Sequence, residues 1–292
     1  MELDHVTVAG RDLDALRRAF ADAGLPPTVG GEHDNGVTHM ASVPFRDGVY
    51  LELIASRDLD RTAPWWDAAI RHDAGPSAWA VRSDGIDADV ARLRDRGLAV
   101  TDPETFSRER PDGVELSWDL AVVGREEPDR SAPGGLCPFL VEDHTPRETR
   151  VGEPLDPASA GVPATGVAEV VVGVTDLDTA VTTLRDGFGL AAPREDDDPT
   201  FGRVANFPDA PVSLASGPGW IADRCERFGP VPCAYLLSTD WSAAGHDDPV
   251  NGSPGSAADG SRGVTDGERP WFGRRLRPVS GLPASARLFS VR

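Results

Sequence analysis

The sequence predicts an α+β fold assembled from four tandem β-α-β-β-β units. Three observations carry that prediction. A β-rich run, an aspartate-led helix and a glycine stop occur three times in the same order; short extended runs, not further helices, follow each copy; and a proline-rich stretch separates two pairs of units. The 292 residues allow one large domain or two ordinary ones, at about 150 residues per domain.

In the first unit Leu3 to Ala9 reads as a strand, Asp12 as a helix N-cap, Leu13, Leu16 and Phe20 as one helix face, and Gly24 as the stop. Thr28-Val29, Thr38 to Phe45 and Val49 to Ala55 supply its remaining strands. The second unit repeats the order with Ser77 to Val81, Asp84, Ile86-Asp87, Val90, Leu93 and Gly97, then Ala99-Val100, Val114 to Val123 and Pro138 to Glu142. The third runs through Val167 to Val174, Asp176, Val181, Leu184 and Gly189, then Gly202 to Phe207 and Pro211 to Ser216. Counted from Asp14, Asp87 and Asp178, the glycine follows after 10, 10 and 11 residues. An eroded fourth unit opens at Val231 to Ser238 and closes with Trp271 to Leu276 and Arg287 to Val291. Its helix is replaced by Ser242 to Arg269, a Gly, Ser and Asp-rich segment too poor in apolar residues to offset its ordering entropy, so a mobile loop is expected at 242–269. The domain organisation expected is residues 1–146, a linker at 147–164 and a degenerate second pair at 165–292.

The charge excludes several functions. Against 48 acids stand 29 bases, every one an arginine, for a net charge of -19. Such a surface repels phosphate backbones and anionic bilayers, so neither nucleic acid nor membrane is an expected partner. At molar salt the Debye length falls to about 3 Å, which suits an Asp-covered, salt-adapted (halophilic) protein; a GC-rich genome is the alternative reading. No run approaches the roughly 18 apolar residues of a membrane helix, and Met1-Glu2-Leu3-Asp4 lacks the basic start of a signal peptide, so a cytoplasmic location is expected. Cys137, Cys225 and Cys233 show no paired spacing and read as free thiols.

The run Leu3-Asp4-His5-Val6-Thr7-Val8, then Gly30-Gly31-Glu32-His33, Gly36-Val37-Thr38-His39 and Tyr50-Leu51-Glu52-Leu53-Ile54 resemble the glyoxalase-like branch of the vicinal oxygen chelate superfamily. Pro138-Phe139-Leu140-Val141-Glu142 is similar to the same branch's closing strand. The resemblance covers residues 1–146 well and 165–216 more loosely. It implies paired modules forming curved mixed sheets with helices outside, as in glyoxalase and bleomycin-resistance proteins, around a cleft for a small-molecule ligand.

It also implies a divalent metal ion (Fe, Mn, Ni, Co or Zn) held by a first-strand histidine and a last-strand glutamate, with open positions at which substrate oxygens meet a Lewis acid. His5 and Glu52 match those positions in the first unit, and period-two alternation sets His5 with Thr7, and Tyr50 with Glu52 and Ile54, on single strand faces. Glu142 matches the carboxylate of the second unit, but Ala78, beside Trp79, stands where its histidine belongs. The expected set is therefore His5, Glu52 and Glu142, completed by His33, His39, His144 or water, with Glu142 or His33 moving a proton. Tyr50, Trp79, His39 and His144 are expected at the cleft. Glu169 and Cys233 fall at the His5 position of the later units. Two functions stay open at this point: a metal-dependent lyase, isomerase or dioxygenase, and a metal-free protein that sequesters a small aromatic or amphipathic compound. A monomer and a homodimer are equally compatible with the sequence.

Overall fold

The computed structural model describes residues 1–124, 135–158, 160–240, 268–283 and 285–291. The first unit comprises β1 (Leu3–Ala9), α1 (Leu13–Asp22), β2 (Thr28–His33), β3 (Thr38–Pro44) and β4 (Tyr50–Ser56). A short α2 (Asp67–Arg71) leads to the second, β5 (Gly75–Arg82), α3 (Ile86–Asp95), β6 (Glu104–Glu109), β7 (Glu115–Val122) and β8 (Phe139–Asp143). After α4 (Arg147–Val151) come β9 (Ala164–Gly173), α5 (Leu177–Phe188), β10 (Arg194–Asp198), β11 (Gly202–Asn206) and β12 (Val212–Ser216). A further helix, α6 (Trp220–Phe228), precedes β13 (Val231–Thr239), β14 (Arg269–Trp271), β15 (Arg274–Pro278) and β16 (Leu288–Val291). The segment 242–269, expected as a mobile loop, lies outside the described residues except for its last two.

Local chemistry explains most of these boundaries. Asp12 and Asp176 cap α1 and α5 by accepting the amides of Ala15 and Thr179, each at 3.0 Å. Gly189 ends α5 in the left-handed conformation, at φ 73°. The second copy departs from the rule: Gly85 occupies the N-cap of α3, and the carboxylate of Glu142 accepts the Ile86 amide at 2.9 Å. The helices α2, α4 and α6 are absent from the repeat pattern because each is a link between units. Asp196 to Asp198 belong to the edge strand β10, where Asp198 is buried and ion-paired with Arg269 at 2.9 Å.

Both halves lay out their strands in one order. Starting from β2, the first half runs β2-β3-β4-β1-β5-β8-β7-β6; the second runs β10-β11-β12-β9-β13-β16-β15-β14. The difference is at the ends. β2 pairs with β6 in the register Glu32 to Glu109 and His33 to Arg108, closing the first half into an eight-stranded barrel. Among the described residues β10 and β14 do not pair, and the second half remains an open sheet.

The outer face of β1, β4 and β5 carries Val6, Leu51, Leu53 and Trp79 into one core shared with α1, α3 and the second half. Tyr235 of β13 locks the two halves together. Its buried hydroxyl lies 2.7 Å from the carbonyl oxygens of Thr7 and Ala78 and accepts the Ser77 amide at 3.2 Å. From α6, Arg224 donates to the carbonyls of Ala74, at 2.6 Å, and Pro76. The three cysteines are free and buried, and burial pushes the thiols of Cys137 and Cys233 up to about 12. No helix among the described residues is long and apolar enough to cross a membrane.

Candidate functional site

The barrel interior holds a cavity of about 290 Å³. β1 and β4 run parallel with His5 opposite Tyr50 and Thr7 opposite Glu52, so alternation turns these four side chains inward together. The ring of Tyr50 stacks on His5 at 4.9 Å and 19°. A register shift between Leu3 and His5 makes Asp4 the extra residue of a bulge, which lets the Asp4 carboxylate meet the ring of its neighbour. Asp4 Oδ1 lies 2.6 Å from His5 Nδ1. A carboxylate only accepts, so Nδ1 carries a hydrogen and Nε2 is the nitrogen turned towards Glu52 and the cavity.

His33 comes from β2. Its Nδ1 is 2.8 Å from Thr38 Oγ1, and its Nε2 is 3.5 Å from Glu52 Oε1. His5 Nε2 stands 3.9 Å from Glu52 Oε2, which also accepts the Thr7 hydroxyl at 2.9 Å. Burial alone would raise the pKa of Glu52. The His33 hydrogen bond, the charges of His5 and His33 and the Thr7 hydroxyl outweigh it and bring the carboxyl down to about 2.

This difference has a measurable sign. A carboxyl depressed in the folded state adds stability that is present above its unfolded pKa, near 4.5, and is lost as pH falls towards 2. Between pH 6 and pH 3 the Glu52→Gln variant should lose about 2 kcal/mol less unfolding free energy than the parent, followed by urea titration at fixed salt. Identical pH dependence in the two proteins would show that Glu52 is not held as a buried anion.

Asp4 is bound further by two arginines of α4. Arg150 Nη2 and Nη1 reach its carboxylate at 2.7 and 3.1 Å, and Arg147 also pairs with it. Arg150 binds Asp143 at 2.9 Å as well, and Nη1 donates to the Tyr50 hydroxyl at 2.8 Å. The opposite wall is aromatic: Trp65 contacts Phe106 and Phe139 at ring distances of 5.2 and 6.1 Å, with Trp66, Trp118 and Leu120 beside them. At the closing seam Arg108, next to His33, lines the same cavity.

Several expected residues lie elsewhere. Glu142 points out of the barrel to cap α3, because the inward face of β8 is Phe139, Val141 and Asp143. His39 is on the outer face of β3, between the inward Thr38 and Met40. Trp79 faces the core shared by the two halves, and the inward positions of β5 are Ala78 and Ala80. His144 is half-exposed beyond β8, with Nε2 on Asp119 at 3.0 Å. Gly30-Gly31 lies within β2. The sheet register sets Ala80 opposite Phe139 as it sets His5 opposite Tyr50, so the second unit offers Ala80 and Val141 where the first offers His5 and Glu52. In the second half, Glu169 is tied up by Ser213, Arg274 and, at 3.2 Å, Trp271 Nε1.

Sequence pattern alone does not single out Asp4, Arg108 or Arg150. Asp4 adjoins a candidate ligand on a strand, which is a usable signal for an acid orienting a histidine. Arg150 falls in the expected linker and Arg108 in a charged run, and neither has a local signature.

A family model for the glyoxalase-like domain matches residues 3–188, more than half of the chain. The chain belongs to this family, within the vicinal oxygen chelate superfamily. The match takes in the whole glyoxalase-like barrel and continues through β9 and α5. Among solved structures, a hypothetical protein from Staphylococcus aureus is 12% identical with a TM-score of 0.59, covering 82% of this chain and 92% of that one. The Mn(II)-bound glyoxalase from Novosphingobium aromaticivorans is 13% identical with a TM-score of 0.53, covering 99% and 81%. A mutant of 4-hydroxymandelate synthase from Streptomyces coelicolor is 11% identical with a TM-score of 0.52, covering 84% and 74%. At these identities the likeness is one of fold. No curated protein matches the sequence.

The donor set can be tested against an ion like that of the Mn(II)-bound glyoxalase. Among the described residues no group of three or more His, Cys, Asp or Glu side chains is gathered closely enough to hold an ion as it stands. The donor chemistry nevertheless fits. Two atoms bound to one ion lie no further apart than the sum of their bond lengths, about 4.2 Å for nitrogen and oxygen ligands, and the two His-to-Glu52 gaps are 3.5 and 3.9 Å.

Proposed function

We propose that this glyoxalase-like protein is a divalent-metal-dependent enzyme acting on a small oxygenated metabolite inside the barrel, with His5, His33 and Glu52 as the metal-binding side chains. The orientation of His5 carries this reading. With Nδ1–H held by Asp4, Nε2 is left to face Glu52 Oε2 at 3.9 Å, a separation that two ligands of one ion can span. A bound ion would supply a Lewis acid for the substrate's oxygens. The chain's own residues do the rest. Asp4 and Thr38 orient the two imidazoles, and the aromatic wall excludes water from the reacting oxygens. Tyr50 keeps its proton, since burial and the neighbouring acids Asp4 and Glu52 outweigh Arg150 beside it. Its oxygen already accepts from Arg150, so the phenolic hydrogen is free to be donated into the cavity.

Protein purified in molar salt and incubated with Mn²⁺, Fe²⁺, Co²⁺, Ni²⁺ or Zn²⁺ should retain one ion per chain. His5→Ala, His33→Ala and Glu52→Ala should each weaken retention at least tenfold, while Glu142→Gln should leave it unchanged. Retention by none of the metals, or equal retention in all variants, contradicts the proposal. A second reading, a metal-free binding protein, is favoured by Ala80 and Val141, which leave the second unit without ligands. It predicts tryptophan quenching by ligand that EDTA does not alter.

A further inference from the structure

Arg108 is 5% exposed and lines the cavity, yet it has no carboxylate partner among the described residues. Its guanidinium donates to two backbone carbonyls, those of Gly30 and, at 3.4 Å, Arg150. Burial is the largest influence on it and lowers its pKa, the expected strain on a desolvated cation without a counter-ion. The contrast with Arg150 is direct: that arginine is buried equally deeply and is paired with both Asp4 and Asp143. Asp4 and Asp143 are thus offset by Arg147 and Arg150. The acid nearest in influence to Arg108 is Glu52, which is already held by His33, His5 and Thr7. Two other acids line the cavity. Asp34 is exposed and accepts the Ser107 amide at 3.1 Å, and Glu104 has a partner of its own.

Among the described residues, then, a cation stands uncompensated in the cavity wall of a chain whose net charge is -19. Beside it on the same strand is Phe106, which Trp118, Trp65 and Phe139 extend into an aromatic surface. A guanidinium binds a carboxylate through two parallel hydrogen bonds, and a flat apolar body fits an aromatic wall in a space of about 290 Å³. We propose that the substrate is a small aromatic carboxylate, its ring against the aromatic wall and its carboxylate on Arg108. The inference rests on the cavity being the substrate site and is independent of the metal.

The test uses benzoate and phenylacetate beside their uncharged amides, benzamide and phenylacetamide, with the full-length protein in molar salt, with and without EDTA. Binding is read by calorimetry and tryptophan quenching. Each acid should bind at least tenfold more tightly than its amide. Arg108→Met should remove that preference while leaving amide binding within threefold, and Arg108→Lys, which keeps the charge, should restore part of it. Circular dichroism establishes that each variant is folded, and the lysine variant keeps the test open if the methionine variant is not. Amide binding with no acid preference overturns the inference and leaves the proposed site standing, as does a preference that survives in folded Arg108→Met. If neither acids nor amides bind, the inference and the reading of the cavity both fall.

Discussion

Arg150→Met is expected to lower the unfolding free energy by about 3–5 kcal/mol, the usual loss when one partner is removed from a buried ion pair. The side chains of Arg150 and Asp4 are 2% and 1% exposed, so water cannot take over the contacts that are lost. The pairing is strong enough to reverse the effect of burial at both ends. Burial would raise the Asp4 carboxyl, but Arg150, His5 and Arg147 hold it well below its ordinary range; burial would lower Arg150, but Tyr50, Asp4 and Asp143 raise it. Arg147 remains on Asp4 in the variant, which places the loss towards the lower part of the range. A buried pair is little screened, so the loss should persist at molar salt, where exposed pairs such as Arg46 with Asp156 contribute almost nothing. Urea unfolding of Arg150→Met and of Arg150→Met with Asp4→Asn checks the source: removing the stranded charge should recover part of the stability. A loss below about 1 kcal/mol, or no recovery, would mean that the cluster does not tie α4 to the barrel.

What the sequence revealed of this site followed from period two. His5, Thr7, Tyr50 and Glu52 alternate with residues that enter the core, and the structure turns all four inward. Glu142 misled for a physical reason. The neighbours Leu140 and Val141 are both buried, one outside the barrel under α3 and one inside, so β8 is apolar on both faces and alternation does not say which face an acid occupies. Trp79 shows the same ambiguity on β5. Arg108 and Arg150 were invisible because their roles depend on a seam between two units and on a contact spanning 146 residues of chain, and Asp4, though next to His5, acts through a bulge that alternation does not foresee. The repeat predicted α1, α3, α5 and most of the strands, since these follow from local pattern, but not the linking helices α2, α4 and α6 or the strands β6 and β10, and barrel closure depends on how β2 meets β6.

That closure should fail in Gly31→Ala. Gly31 has φ 108°, a conformation an L side chain rarely adopts, and a Cβ there would stand 2.2 Å from the carbonyl oxygen of Glu109 on β6. Because the obstructing atom is backbone, no rotamer relieves the contact. The disfavoured φ alone costs about 1–3 kcal/mol, and the seam has little to resist it: two register pairs, extended by Asp34 on Ser107. Separating β2 from β6 moves His33 from Glu52 and Arg108 from the Gly30 carbonyl together, so metal retention and acid preference should fall at least tenfold in the same variant. Gly36→Ala is the matched control. Gly36 also has positive φ, 63°, but nothing lies within 4 Å of the position an alanine methyl would take, so only the backbone preference of about 1–2 kcal/mol is at stake. If thermal unfolding and ligand binding of Gly31→Ala match those of Gly36→Ala, the β2–β6 seam is not what holds His33 and Arg108 in the cavity.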